Sequence, residues 1–169
     1  MQLNVPEPPA VGHLPAEVGF SRATDADKPD IIVVNPCSVT ALADRKCRQA
    51  IRSLVRRFPD ATVLVTGCYA QLKPGEVADI PGVDIVVGTN AKARLAEYIE
   101  QWDAAHSPIN EVIPAKDLRE FVPACSADDR TRHFLKVQAG CDYYCRYCTI
   151  PMARGPSPPA PLDPCVAPP

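Results

Sequence analysis

The chain has 169 residues, which is enough for one ordinary domain and part of a second. Its 8 cysteines are too sparse for a small secreted scaffold held by disulfides, and they favour a reducing, cytoplasmic environment. A net charge of −2 gives no overall attraction to nucleic acid, and no apolar run approaches the roughly 20 residues of a membrane span. Secreted disulfide scaffolds and membrane-spanning proteins are therefore excluded.

Three apolar runs predict the strands of a buried sheet. Prolines interrupt residues 1–20 and argue against a continuous helix there. The run Ile31–Val34, bounded by turn residues, predicts a strand buried on both faces. Thr62–Thr66 and Asp84–Val87 repeat the pattern. The spacing of these runs leaves room for a helix between the first two strands.

Two helices accompany these strands. Residues 41–58 form the first, with Thr40 as its N-cap and an apolar stripe that includes Cys47. Arginines line the opposite side, either as a solvated face or as a contact for RNA phosphates: Arg45, Arg48, Arg52 and Arg56. Lys92–Trp102 forms the second helix. Strands alternating with helices predict an α/β fold, a parallel sheet flanked by helices that is flavodoxin-like or Rossmann-like in outline.

Two cysteines follow consecutive predicted strands at the point where each strand ends. Cys37 comes after the first strand and Cys68 after the second. Because the carboxyl ends of parallel strands share one edge, both thiols are expected there, where open sheets bind their ligands. The turn Gly88–Asn90 leaves the third strand at the same edge and could add backbone groups. Cys47 lies on the apolar stripe and is predicted to be a core residue.

The densest group of cysteines is the stretch Cys141-Asp-Tyr-Tyr-Cys145-Arg-Tyr-Cys148. Three thiols on one short loop serve either a metal or disulfides. Three thiolates leave one iron of a [4Fe–4S] cluster without a protein ligand, whereas electron carriers supply four cysteines. Zinc would need a fourth ligand, for which His133 is the nearby candidate. We predict a metal site on this loop, with an iron–sulfur cluster favoured over zinc.

The sequence around these cysteines resembles the radical S-adenosylmethionine (SAM) enzymes and, among them, the tRNA methylthiotransferases of the MiaB, RimO and MtaB type. Five stretches carry the resemblance, two beside the cysteine loop and three upstream: Phe134–Gly140, Thr149–Gly155, Asn35–Thr40, Ala43–Gln49 and Val65–Gln71. The run Asp44–Gln49 and the turn Gly88–Asn90 are most similar to the MtaB branch. That branch acts on N6-threonylcarbamoyladenosine beside the tRNA anticodon.

The resemblance implies a transferase that adds a methylthio group to C2 of the adenine, using [4Fe–4S] clusters and two molecules of SAM. It assigns Cys141, Cys145 and Cys148 to the SAM-binding cluster, and Cys37 and Cys68 to a second cluster that delivers sulfur. A tRNA substrate and an electron donor are the implied partners, without a membrane. We expect a cytoplasmic monomer.

The resemblance also divides the chain. It implies an amino-terminal methylthiotransferase domain, a connector and the start of a radical-SAM barrel resembling a TIM barrel: residues 1–104, 105–130 and 131–155. Residues 156–169 are rich in proline and low in apolar bulk, so their composition predicts a disordered tail. Phe134–Val137 is expected to be the first barrel strand, which sends Cys141 to the loop at its carboxyl end. Tyr143, Tyr144 and Tyr147 would shield the cluster from solvent or stack on adenine, with shielding favoured.

The chain departs from the family pattern in two places. The second cluster of the family uses three cysteines, and Met1 stands where the first of them is expected. We therefore expect that cluster to be incomplete, leaving one cluster per chain. A complete barrel needs about 200 residues or more, so we expect an inactive fragment. Two other functions stay open: a non-catalytic iron–sulfur protein and a zinc-binding α/β module.

Overall fold

The computed structural model describes residues 28–38, 40–118, 125–126, 134–136 and 138–157. Four parallel strands form one sheet in chain order: β1 Ile31–Val34, β2 Thr62–Val65, β3 Ile85–Val87 and β4 Ile109–Glu111. Five α-helices are described: α1 Ala41–Arg57, α2 Cys68–Leu72, α3 Pro74–Ala78, α4 Leu95–Ala105 and α5 Ile150–Arg154. Two 3₁₀ helices are also described, Thr89–Arg94 and Ala115–Asp117. The predicted α/β fold with a parallel sheet is confirmed.

The two central strands separate two apolar layers. Alternate side chains of a strand point to opposite faces, and every residue of β2 and β3 is buried. One layer packs beneath α1, α2 and α3: Ile51, Val63, Val65, Tyr69, Ala70, Val77, Ile80 and Val86. The other packs beneath α4: Leu64, Ile85, Val87, Ala91, Leu95 and Tyr98. Burial on both faces explains why these strands are continuous runs of branched apolar residues.

The bounds and the N-cap of helix α1 agree closely with the prediction. The Thr40 hydroxyl accepts a hydrogen bond from the Ala43 amide at 3.1 Å, so the predicted N-cap is confirmed. Ile51 is fully buried on the apolar stripe, and the half-buried Cys47 packs against the same layer. The helix ends at Arg57, where Phe58 serves as the C-cap. The predicted core position of Cys47 is confirmed.

The sheet differs from the prediction at both ends. Strand β1 is half-buried rather than buried on both faces, because among the described strands it pairs with β2 alone. Strand β4, which pairs with β3, lies in residues that the sequence analysis assigned to the connector. The second long helix begins at Leu95 instead of Lys92, after the 3₁₀ turn. Leu95 and Tyr98 on this helix are buried.

A short antiparallel pair precedes the cysteine loop. Strand β6, Phe134–Leu135, pairs with β5, Cys125–Ser126, in residues assigned to the connector. Part of the expected barrel strand Phe134–Val137 is thus present as a strand. Several predicted features lie outside the described residues: Met1 and the interrupted segment 1–20, His133, Val137 and most of the tail, 158–169.

Candidate functional site

The loops that follow β1 and β2 lie side by side at the carboxyl edge of the sheet. The Thr66 amide donates to the Val34 carbonyl at 2.9 Å, and the Tyr69 amide donates to the Pro36 carbonyl at 3.3 Å. These bonds hold the loop that carries Cys37 against the start of α2, whose first residue is Cys68. Both thiols are half-buried and free of disulfides. The structure thus brings the two cysteines to one edge, as the strand pattern predicted.

Gly67 allows this close approach of the two loops. Its φ of 89° lies in a region that residues with a side chain rarely adopt. A Cβ atom at this position would also overlap the side chain of Asn35 and lie 3.2 Å from the Pro36 carbonyl oxygen. A larger residue would therefore push α2, and Cys68 with it, away from the loop of Cys37.

A buried carboxylate fixes the other side of the Cys37 loop. Asp44 in α1 is 4% exposed and accepts a hydrogen bond from the Ser38 hydroxyl at 2.6 Å. Lys73, which follows α2, forms ion pairs with Asp44 at 3.2 Å and with Glu76 at 3.1 Å. The residue after Cys37 is therefore tied through Asp44 to the segment that joins α2 and α3.

A second set of polar contacts ties α1 to α2. Tyr69 is fully buried, and its hydroxyl accepts from Arg48 Nη1 at 2.9 Å and donates to Glu76 at 3.2 Å. Arg48 also forms an ion pair with Glu76 at 2.9 Å. Arg48 was grouped with the arginines on the outer side of the helix, and that grouping was wrong. Its side chain turns inward because Tyr69 and Glu76 supply acceptors there.

These contacts shift the pKa values of the groups involved. The hydrogen bond from Lys73 is the main reason that the pKa of Glu76 lies below its ordinary value, with Tyr69 and Arg48 adding to it. Burial raises the pKa of the Tyr69 hydroxyl. Burial also raises the pKa of the Cys47 thiol, and the nearby Asp44 charge adds to this effect. The Cys47 thiol donates to the Cys37 carbonyl at 3.5 Å, which supports the same loop from below.

One buried glutamine holds the turn after β3 at the carboxyl edge. Gln71 is 7% exposed, and its amide group donates to the Ile113 carbonyl at 2.7 Å. Its carbonyl oxygen accepts from the Thr89 amide at 3.0 Å and lies 3.3 Å from the Thr89 hydroxyl. That hydroxyl also lies 3.2 Å from the Ala153 carbonyl, and its single hydrogen serves one acceptor at a time. The Thr66 hydroxyl donates to the Gly88 carbonyl at 3.1 Å.

The cysteine loop near residue 145 is held mainly by its own backbone. The Cys148 amide donates to the Cys145 carbonyl at 2.9 Å, and the Cys141 amide donates to the Gly155 carbonyl at 3.1 Å. Tyr144 has a φ of 45°, a left-handed conformation that lets the chain reverse between the first two cysteines. The rings of Tyr143, Tyr144 and Tyr147 are 87%, 61% and 93% exposed. That these rings shield a bound cluster stays a prediction.

Helix α5 docks this loop onto the carboxyl edge. It starts shortly after Cys148 and packs against α2, the helix that begins with Cys68. Gly155 ends α5 with a φ of 73°, and a Cβ atom there would overlap the Ala115 carbonyl oxygen. Only glycine fits this contact without moving the backbone. Helix α2 therefore links both sets of predicted cysteine ligands, since it begins with Cys68 and contacts the helix that follows the cysteine loop.

The described residues do not gather these side chains into a finished metal site. No group of three or more histidine, cysteine or acidic side chains is placed to hold a metal ion in the described part of the chain. No disulfide joins the six cysteines whose side chains the structure describes, and Cys145 is exposed while Cys141 and Cys148 are half-buried. The type of donor nevertheless suits an iron–sulfur cluster, because cysteine thiolates are its usual protein ligands. Sequence reasoning missed Ser38, Asp44, Gln71 and Lys73, which position the loops.

Comparison with known proteins places this chain in a family. Residues 2–88 match the family described as "Uncharacterized protein family UPF0004". The chain is 43% identical over 158 residues to the threonylcarbamoyladenosine tRNA methylthiotransferase MtaB of Bacillus subtilis, covering 91% of this chain and 35% of the relative. The Aquifex aeolicus protein of the same name is 39% identical over 140 residues, covering 81% and 34%.

A relative with a different printed name also matches. The tRNA-2-methylthio-N(6)-dimethylallyladenosine synthase of Sphingopyxis alaskensis is 34% identical over 156 residues, covering 91% of this chain and 35% of the relative. The chain thus spans about a third of the length of the curated relatives it matches. Among the described helices, none has the length and apolar character needed to cross a bilayer. The chain belongs to the UPF0004 family, and its homologues are tRNA methylthiotransferases.

Proposed function

We propose that this chain is part of a tRNA methylthiotransferase that modifies N6-threonylcarbamoyladenosine beside the anticodon. The observation that carries the proposal is the packing of α5 on α2, since it attaches the loop of Cys141, Cys145 and Cys148 to the helix that starts with Cys68. The family resemblance implies that the cluster that cleaves SAM and the cluster that delivers sulfur act on one substrate atom, so the two groups of cysteines would have to lie close together. The fold of this chain supports such an arrangement.

In this proposal the three thiols of the loop would hold a [4Fe–4S] cluster with one open iron. When bound, such a cluster supplies the one-electron cleavage of SAM. The chain's own residues fix the loop: the Cys141 amide is bonded to Gly155, and the Cys148 amide to Cys145. Lys136 and Arg154 flank the loop and are candidates for contacts with a phosphate or a carboxylate. An electron donor is a further proposed partner.

Cys37 and Cys68 would provide two ligands of the second cluster at the carboxyl edge. Ser38, held by Asp44, and Tyr69, held by Arg48, are the residues that follow each of these cysteines. Their side-chain contacts restrain the backbone on which the thiols stand, so the edge is preorganised for a ligand. The family uses a third cysteine for this cluster, and Met1 stands at the position expected for it.

We further propose that the 169-residue chain, tested alone, forms no methylthio product. Radical chemistry needs a site that excludes water and holds both SAM and adenine in register. In the described residues the loop faces solvent, as the exposed rings of Tyr143 and Tyr147 illustrate. Incubation of the chain with tRNA, SAM and a reductant, followed by mass spectrometry of the nucleosides, tests this. A methylthio product at the level of an active family member would contradict it.

Anaerobic reconstitution with iron and sulfide tests the cluster assignment. The expected result is an iron–sulfur absorption band and, after reduction, an EPR spectrum that changes when SAM is added. An iron–sulfur EPR spectrum that does not change when SAM is added would favour a non-catalytic iron–sulfur protein instead. Zinc uptake without any iron chromophore would favour a zinc-binding module. A cytoplasmic location follows from a tRNA substrate and reduced thiols and is part of the proposal, as is a monomeric state.

A further inference from the structure

Helix α1 presents a face to solvent that carries only positive charge. Its exposed cations are Arg45, Lys46, Arg52, Arg56 and Arg57. The one acidic residue of the helix, Asp44, is buried and turned toward Ser38 and Lys73. The chain as a whole has 20 acidic and 18 basic residues, so this concentration of charge is local.

Part of this charge has a structural explanation, and part does not. Arg56 and Arg57 lie in the last turn, where the helix dipole favours cations, and Arg57 also stacks over Phe58 at 5.0 Å. Arg45, Lys46 and Arg52 lie outside that turn. In the part of the chain that the structure describes, no carboxylate forms an ion pair with any of the three.

The arrangement opposes the stability of the helix. Arg52 and Arg56 are four residues apart, and like charges at that spacing on a helix repel each other. Arg48 shows the alternative, because its side chain finds acceptors on Tyr69 and Glu76. The described contacts thus show no stabilising role for Arg45, Lys46 and Arg52. An external anion is the partner that fits them.

The position of α1 places this positive charge in a row that starts at the carboxyl edge of the sheet. Helix α1 begins directly after the loop of Cys37 at the carboxyl edge, and its Arg45 lies nearest that edge. Arg45, Arg52 and Arg56 are separated by seven and four residues, about two turns and one turn, so they lie along one side. With a rise of about 1.5 Å per residue, the row is about 16 Å long.

We propose that the basic face of α1, defined by the row of Arg45, Arg52 and Arg56 with Lys46 beside it, binds backbone phosphates of the RNA substrate. The RNA strand would run from the modified nucleotide at the carboxyl edge along this helix. Guanidinium groups suit such contacts because their planar set of donors matches phosphate oxygens, and these contacts position an RNA without reading its sequence. The identification of the RNA as tRNA rests on the proposed function, whereas the phosphate chemistry rests on the charge of the helix.

Binding measurements at several salt concentrations test this inference. The variants are Arg45→Gln, Arg52→Gln and the double variant, with Lys28→Gln as a control that removes an exposed cation elsewhere. The probes are a purified tRNA and an anticodon stem-loop carrying N6-threonylcarbamoyladenosine. Each single variant is expected to bind severalfold more weakly and to reduce the slope of log K against log salt by about 1, and the double variant by about 2. Lys28→Gln is expected to keep the wild-type slope.

The outcomes separate this inference from the proposed function. The four variants should unfold at nearly the same urea concentration as the wild type, because the substituted side chains are exposed. If the wild type binds tRNA with a steep salt dependence and the double variant has the same slope, the inference is overturned and the tRNA assignment stands. If the wild type binds neither RNA at low salt, the tRNA assignment itself fails. If the variants lose affinity for phosphatidylserine vesicles but not for RNA, the face belongs to a membrane surface and the inference is again overturned.

Discussion

The two cysteine-bearing regions of this chain are built differently. The carboxyl edge around Cys37 and Cys68 is fastened by buried side chains, in which Asp44, Tyr69 and Gln71 each contact a neighbouring loop or helix. The loop from Cys141 to Cys148 is fastened by backbone hydrogen bonds and presents large apolar rings to solvent. The edge is therefore a preformed support, whereas the loop relies on short chain connections.

Because of this difference, the two regions depend on different features of the chain to bring their thiols together. Closing a loop within a few residues costs little chain entropy, so the three thiols of the loop can gather around a cluster even without extensive packing. Cys37 and Cys68 are far apart in sequence and depend on the sheet to bring them to one edge. Damage to the sheet should thus affect the edge first, and the loop only through its attachment to α2.

The largest effect is expected from truncating the buried ring at the edge. Tyr69→Ala should lower the free energy of unfolding by about 3–5 kcal/mol, because a fully buried aromatic side chain and two hydrogen-bond partners are lost. The matched control is Tyr147→Ala, whose ring is 93% exposed and should cost less than about 0.5 kcal/mol. Urea unfolding followed by circular dichroism measures both. Equal losses in the two variants would contradict the contrast between edge and loop.

A smaller effect is expected at the contact between the two regions. Gln71→Ala should cost about 1–3 kcal/mol, since the Ile113 carbonyl and the Thr89 amide lose a buried partner. Thr89 also contacts the carbonyl of Ala153 in α5, so the docking of the cysteine loop should loosen. Hydrogen exchange at the Cys141 amide, which is bonded to Gly155, should then become faster.

The exposed residue Gln49 on α1 provides the control for this experiment. Gln49→Ala should leave both the stability and the exchange at Cys141 unchanged. A Gln71→Ala protein that is destabilised overall but keeps wild-type protection at Cys141 would show that the loop is held independently of the edge.

The smallest effect concerns the ionic contacts at the surface of the edge. The pKa of Glu76 is lowered in the folded state, chiefly by the hydrogen bond from Lys73, so its stabilising effect is present above the ordinary glutamate pKa. That effect is lost as the pH falls from the ordinary value through the lowered one. The stability difference between wild type and Glu76→Gln should therefore shrink on acidification below about pH 4.5.

Glu97→Gln removes the same charge from a residue outside these contacts and serves as the control. Thermal unfolding between neutral pH and pH 3 measures the difference. A gap between wild type and Glu76→Gln that stays constant over this range would argue against a contribution from the ion pairs of Glu76.

The strands and α1 could be predicted because their signals are local. Runs such as Thr62–Val65 are apolar throughout, and Thr40 stands where a helix needs a cap. Strand β4 was missed because Ile109–Glu111 contains one apolar residue and owes its conformation to pairing with β3. Helix α2 is only five residues long, too short to show a helical period.

The same distinction between local and long-range signals applies to the candidate site. Cys37 and Cys68 could be placed at one edge, because their position after consecutive strands follows from the topology of parallel sheets. The side chains that fasten the edge could not be predicted, since Ser38 and Asp44, or Gln71 and Thr89, meet only after the strands have paired. Arg48 was misplaced for the same reason: its partner Glu76 lies 28 residues further along the chain.

The most direct test of the central claim is the iron content of two matched sets of variants after anaerobic reconstitution. The claim is that the loop of Cys141, Cys145 and Cys148 holds the cluster in this chain, while Cys37 and Cys68 supply only part of a second site. Replacing the three loop cysteines by alanine should remove nearly all cluster absorption, and replacing Cys37 and Cys68 should change it little. A triple variant that still binds about one cluster per chain would contradict the claim and would identify the sheet edge as an independent, complete site.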